Sequence, residues 1–102
     1  MLAACLRALE LHPAVAWACR VNSGAVTAQD SLGKKRFIRF NSMPGMSDII
    51  GQATDGRFLA VECKRPSGRL SDDQRAFLAR VEAAGGIAVC ARSVDDVIEA
   101  LA

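Results

Sequence analysis

Several residue types are scarce in this chain, and each scarcity excludes something. Tyrosine is absent, tryptophan occurs once and phenylalanine four times, so a core has to be built from Ala, Val, Leu and Ile. A single histidine, His12, and four scattered cysteines with no CxxC pair leave a zinc site without converging ligands. No apolar run is long enough to span a membrane. The start of the chain lacks the basic stretch and long apolar run of a secretion signal. Repeats, low-complexity tracts and linkers are missing, and nothing in the composition suggests disorder. A strong charge of one sign is missing too: the net charge of +2 permits nucleic-acid binding without demanding it. These absences lead to the expectation of a reduced, cytoplasmic protein whose cysteines Cys5, Cys19, Cys63 and Cys90 are buried free thiols.

What is present suits one domain over residues 1–102, of which 51% are hydrophobic, enough for a core. Charge is unevenly spread. Lys34, Lys35, Arg36 and Arg39 form one basic group, Lys64, Arg65 and Arg69 a second, and the acidic residues gather later in the chain, from Asp72 to Glu99. Each group could equally be a solvated face.

Periodicity and stop signals divide the chain. Leu2, Cys5, Leu6 and Leu9 have helical spacing up to His12-Pro13, where proline discourages continuation. Residues 15–21 read as a strand, with Trp17 in its core face, and 25–35 as a polar loop. Residues 36–40 read as a short strand, anchored by Phe37 and Phe40. Residues 47–52 and 57–64 flank an Asp55-Gly56 turn and predict a β-hairpin. Ser71 and Gln74 form an S-x-x-Q capping box, opening a helix to about Ala84 with Phe77, Val81 and Ala84 on one stripe. Gly85-Gly86 stops it. The run 87–91 suits a buried strand, and Val94, Val97, Ile98 and Leu101 mark a last helix. The second hairpin arm, the helix and the next strand make a βαβ unit with parallel strands. The expected fold is α/β, a mixed sheet flanked by helices in the order α-β-β-β-α-β-α.

Chemistry concentrates on the second hairpin arm. Alternation puts Phe58, Ala60, Glu62 and Lys64 on one face and Leu59, Val61 and Cys63 on the core face. Glu62 and Lys64 then point the same way, roughly 6–7 Å apart. Asp48 begins the preceding arm, fourteen residues before Glu62, and a hairpin can bring the two side by side. Two carboxylates can hold a hard divalent cation through oxygen, the cation can activate water at a phosphodiester, and a lysine can orient water or bind phosphate. The bare E-x-K triplet is also what a surface ion pair looks like. His12, beside a proline at a helix end, suits a capping role.

The combination of the Pro44-Gly45 turn, Asp48, the hairpin, Glu62-x-Lys64 and a glutamine-bearing helix resembles the D…(D/E)xK signature of restriction-endonuclease-like enzymes. Residues 17–25, 45–51, 57–65, 70–74 and 84–92 are similar to the stand-alone VRR-NUC domain, a branch of those nucleases found in phage and bacterial proteins, and the likeness spans about Trp17 to Leu101. The resemblance implies that Asp48 and Glu62 hold the metal together with the backbone carbonyl of Cys63, that Lys64 is the catalytic lysine and that Gln74 borders the site. It also brings out the Arg20-x-Asn22-Ser23-Gly24 stretch, whose Arg20 could contact phosphate or pair with a carboxylate. The glutamate that the family carries in its first helix would fall before Met1, and Glu10 lies about two turns too late to replace it.

The resemblance therefore implies a Mg²⁺- or Mn²⁺-dependent DNA endonuclease acting as a homodimer on branched DNA such as four-way junctions. A two-fold pair would present two active sites to two symmetric strands. Expected DNA-backbone contacts are Arg20, Lys34, Lys35, Arg36, Arg39 and Arg65. The alternative reading is a non-catalytic DNA-binding or assembly module that keeps the nuclease fold.

Overall fold

The apolar stripe that opens the chain folds as helix α1, Leu2–Leu11, with Cys5 and Leu9 fully buried and Leu2 and Leu6 packed beside them. In this computed structural model, residues 1–21, 25–29, 35–39 and 43–102 are described, the two short segments 25–29 and 35–39 by their backbone alone. α1 stops at His12, whose backbone is extended ahead of Pro13. The His12 N–H donates to Leu9 O at 3.2 Å, and its Nδ1 accepts from the Ala14 N–H at 3.0 Å. This lone histidine is a cap, as expected.

Four strands form the main sheet: β1 (Val15–Arg20), β4 (Ile49–Ala53), β5 (Phe58–Cys63) and β6 (Ile87–Ala91), in spatial order β1-β4-β5-β6. The first two pairings are antiparallel and β5-β6 is parallel. Between β1 and β4 in sequence lie β2 (Ala25–Gln29) and β3 (Lys35–Arg39), a separate antiparallel ribbon with Thr27 opposite Phe37. The strand expected at 36–40 is therefore present, but the expected polar loop at 25–35 contains a strand. With the ribbon set aside, the helices and the strands of the main sheet follow the expected order α-β-β-β-α-β-α, and β2 is the strand the sequence reading did not name. Backbone pairing in a ribbon is indifferent to side-chain polarity, so an Ala-Val-Thr-Ala-Gln segment can pair without looking apolar.

The β4-β5 hairpin closes where Asp55-Gly56 indicates. Gly56 has φ +94°, its N–H donates to Ala53 O, and the Ala53 N–H donates to Arg57 O. Helix α2 (Asp72–Ala83) follows β5, and α3 (Val94–Ala100) follows β6. The sheet is the middle of three layers. On one face α1 and α3 cover Ile49, Leu59, Val61 and Val89 with Cys5, Leu9 and Val97. On the other, Phe77 and Leu78 of α2 cover Ala60. Each fully buried Leu, Ile or Val contributes roughly 1.5–3 kcal/mol relative to exposure.

Three sequence expectations are corrected here. Ile98 is 45% exposed, and α3 packs through Val97, with Val94, Ala100 and Leu101 beside it; seven residues give less than two full turns of buried stripe. Trp17 is 45% exposed rather than core, and its Nε1 donates to Gln52 Oε1 at 3.1 Å. β1 is an edge strand of this sheet, and the helix on Trp17's side packs on β5 and β6. Cys19, on the same strand, is exposed, whereas Cys5 is buried and Cys63 and Cys90 are half-buried. Among the described residues no helix is long and apolar enough to cross a membrane.

Candidate active site

Three pieces of chain meet at the C-terminal end of β5: the residue before β4, the end of β5, and the first turn of α2. The turn at Pro44-Gly45 delivers the first. Gly45 has φ +74°, and a Cβ there would lie 2.2 Å from the backbone carbonyl of Asp73 and 2.6 Å from the Gln74 nitrogen. Glycine thus lets this turn lie directly on the N-terminus of α2. Ser47 follows, fully buried, with a hydroxyl that has no hydrogen-bond partner among the described residues. Asp48 comes next, half-buried, at the mouth of β4.

Asp48 and Glu62 are cross-linked through the ladder. The Asp48 N–H donates to Glu62 Oε2 at 3.2 Å, and Asp48 Oδ2 accepts from the Cys63 N–H at 2.9 Å. Asp48 O also accepts from the Val21 N–H at 2.7 Å, which ties the end of β1 to the same point. Arg20 ends β1 opposite Ile49 and is exposed.

Glu62 is only 3% exposed, which excludes the surface ion-pair reading of E-x-K. Its Oε1 accepts from Gln74 Nε2 at 3.0 Å. Gln74 is simultaneously half of the capping box: its Oε1 accepts from the Ser71 N–H at 2.9 Å, and its N–H donates to Ser71 Oγ at 3.1 Å. Gln74 thus caps α2 and holds the Glu62 carboxylate at the same time. Burial and then the neighbouring Asp48 charge push the Glu62 carboxyl up to about 7, against a smaller downward pull from Lys64. Lys64 itself is half-buried, and its N–H donates to Ala91 O at 2.9 Å, carrying the β5-β6 pairing one residue beyond Cys63.

The Cys63 side chain goes the other way, into the core beside Cys5. Burial and the Cys5 contact push its thiol up to about 12. Only its backbone can serve the site. The hard-oxygen donors at this strand end are thus the Asp48 and Glu62 carboxylates, with the Cys63 backbone beside them. No third Asp, Glu, His or Cys side chain joins them among the described residues, and Glu10 is exposed on α1. Such a set fits a magnesium-class cation, which commonly takes one or two carboxylates and leaves other positions to water and substrate phosphate. The Asp48 repulsion that raises Glu62 is also what a divalent cation would relieve.

The structure thus brings together Asp48, Glu62, Cys63, Lys64 and Gln74. Arg65 follows directly and is exposed. Lys34 and Asn22-Ser23-Gly24 lie outside the described residues, as do the side chains of Lys35, Arg36 and Arg39, whose backbones run in β3 opposite Gln29, Ala28 and Ala25. A groove of about 720 Å³ runs between α2 and the hairpin turn, over Phe58, Phe77 and Val81. It lies at the other end of β5 and includes none of the clustered polar residues.

Sequence reasoning passed over Arg92. All three of its guanidinium nitrogens are engaged: Nε donates to Pro66 O at 3.3 Å, Nη2 to Gly68 O at 2.7 Å and Nη1 to Cys90 Sγ at 2.9 Å. Its only sequence signal is a cation directly after an apolar strand.

The sequence model of the VRR-NUC domain matches residues 2–95 of the chain. No curated protein and no solved structure matches it significantly.

Proposed function

The chain belongs to the VRR-NUC domain family, nuclease domains of the restriction-endonuclease-like fold, and from that premise we propose that it is a metal-dependent DNA endonuclease with Asp48, Glu62, Lys64 and Gln74 in its active site. The observation that carries this reading is buried Glu62 cross-braced to half-buried Asp48, with Lys64 two residues further along the same strand. A buried carboxylate held by a glutamine and facing a second carboxylate has little structural value, because burying like charges together is costly. It has value as a cation site.

In this reading Asp48, Glu62 and the Cys63 carbonyl would hold Mg²⁺ or Mn²⁺, which would supply charge neutralisation at the phosphate and a more acidic water. Gln74 fixes the rotamer of Glu62, so that one oxygen stays toward Asp48. Lys64 stands on the same strand face, where its ammonium meets a phosphate oxygen or orients the attacking water. Water then replaces one ester oxygen at phosphorus, and the leaving oxygen departs as an alcohol once protonated. Exposed Arg20 and Arg65 flank this end of the sheet and suit DNA-backbone contact, as do Lys34, Lys35, Arg36 and Arg39 by their sequence. Branched DNA such as four-way junctions, cut by a homodimer, is the substrate class we assign on family resemblance and on the small size of one domain. The cytoplasm, of a bacterial cell or a phage-infected host, is the location this substrate implies.

The test is cleavage of labelled four-way-junction, flap, single-stranded and duplex DNA with Mg²⁺, Mn²⁺ or EDTA, comparing wild type with Lys64→Ala. Metal-dependent cutting is expected, strongest on the junction, abolished by EDTA and reduced about 10²- to 10⁴-fold by the substitution. A folded wild-type protein that binds DNA and never cuts it would instead establish the non-catalytic binding module.

A further inference from the structure

The segment from Lys64 to Leu70 leaves β5 at the carboxylate pair and returns to it through α2, whose capping glutamine reaches back to Glu62. It carries three cations in six residues, Lys64, Arg65 and Arg69, with both arginines exposed. A loop containing Pro66, Ser67 and Gly68 has no ladder to hold it. Its shape comes from two sources: a Gly68 N–H donating to Arg65 O at 2.9 Å, and the Arg92 guanidinium, which bridges the carbonyls of Pro66 and Gly68. Arg92 is itself anchored where β6 ends, since its N–H donates to Asp96 Oδ2 at 2.8 Å in the first turn of α3. Its positive group is therefore turned onto the loop's backbone, while the loop's own two arginines are turned out.

We propose that Arg92 is a positioning residue that braces the Lys64–Arg69 loop into a phosphate-binding rim, on which Arg65 and Arg69 grip the DNA backbone beside the Asp48–Glu62 centre. A planar fork can span two carbonyls and hold their separation, whereas an ammonium holds one point. Loss of the fork frees the loop, and the entropy cost of fixing Arg65 and Arg69 then exceeds what their phosphate contacts return, so those contacts are not made in the complex. The inference rests on the nuclease reading for its ligand.

The experiment measures binding of a labelled four-way junction across a salt series, with Ca²⁺ in place of Mg²⁺ to suppress cutting. It compares wild type, Arg92→Ala, Arg92→Lys, Arg65→Ala/Arg69→Ala, and the triple variant. Each lost phosphate contact lowers the log–log salt slope by about 0.9. The double variant is expected to lower it by about 2, Arg92→Ala by nearly as much, and the triple variant by no more than the double. Arg92→Lys keeps the charge without the fork and is expected to behave like Arg92→Ala, with a circular dichroism spectrum like the wild type's. Three outcomes overturn the proposal while leaving the nuclease reading intact: a wild-type slope in Arg92→Ala, restoration of the slope by lysine, or a further drop of about 0.9 in the triple variant, which would make Arg92 a direct phosphate contact. A wild type that binds no junction overturns this inference and the junction assignment, whereas metal-dependent cutting of flap, single-stranded or duplex DNA would still uphold the nuclease reading.

Discussion

Asp48 and Glu62 restrain each other through exchanged groups: the backbone of Asp48 donates to the Glu62 carboxylate, and the Asp48 carboxylate accepts from the backbone of Cys63, the residue after Glu62. Neither side chain can turn away without leaving a donor unpaired. The arrangement holds two acids together, and Glu62 absorbs the cost as a carboxyl raised from 4.5 to about 7.

A pH dependence follows from that shift. Between its unfolded value of 4.5 and its folded value of about 7, Glu62 carries a proton in the folded protein that the unfolded chain has released. Its contribution to stability is therefore present below the unfolded value and is lost as pH rises through the folded one. In EDTA the melting temperature should fall between about pH 5 and about pH 8, by an amount corresponding to on the order of 1–2 kcal/mol after screening by water at the half-buried Asp48. Glu62→Gln should flatten this fall, and saturating Mg²⁺ should offset it at the alkaline end. Thermal melts of both proteins across the range check it; parallel curves would sink it.

Gln74 joins two functions that substitution can separate. Ser71→Ala removes the hydroxyl that caps Gln74 N–H but leaves the Ser71 N–H that holds the Gln74 carboxamide. It should cost about 1 kcal/mol of stability with little effect on cleavage. Gln74→Ala also releases Glu62 Oε1 and should lower cleavage about 10- to 100-fold, as loss of a group supporting a metal ligand does. Urea denaturation together with cleavage rates distinguishes the two. Equal losses of activity in both variants would mean that Gln74 matters only as a cap.

Much of this site was legible because its signals are local. Asp55-Gly56 between apolar runs announces a hairpin, strand alternation puts Glu62 and Lys64 on one face, and the spacing of Ser71 and Gln74 announces a helix start. What escaped depends on non-local facts. Trp17 has the alternation of a core residue, and only the strand order makes β1 an edge. Ile98 fits the helical stripe, but α3 is too short to bury all of it. Arg92 was invisible because its partners at Pro66 and Gly68 are backbone carbonyls, which every residue type supplies.

Gly45 and Gly56 both have positive φ but differ in surroundings. A Cβ at Gly45 would strike the Asp73 carbonyl at 2.2 Å, whereas one at Gly56 meets nothing within 4 Å. Gly56→Ala should therefore cost only the left-handed backbone, about 1–2 kcal/mol. Gly45→Ala adds a clash with helix backbone, which cannot rotate aside, and should cost about 3 kcal/mol or more. It should also weaken cleavage, because the displaced turn carries Asp48 and the displaced helix carries Gln74. Equal destabilisation of the two variants would show that the turn and helix can separate freely.

Thiol accessibility tests how β5 is seated. Cys63 follows Glu62, but its sulfur lies in the core beside fully buried Cys5, with its thiol pushed up to about 12. Cys90 is half-buried and accepts from Arg92 Nη1, and Cys19 is exposed on the edge strand. A disulfide reagent such as DTNB should therefore titrate one thiol quickly in the native protein, and Cys19→Ser should remove that phase. Cys90 and half-buried Cys63, whose raised thiol makes it a poor nucleophile, should react more slowly, and fully buried Cys5 only once urea unfolds the chain. Rapid native-state labelling of Cys63 would place its side chain on the solvent side of β5. Glu62 and Lys64 would then face the core, and the site would lose its geometry.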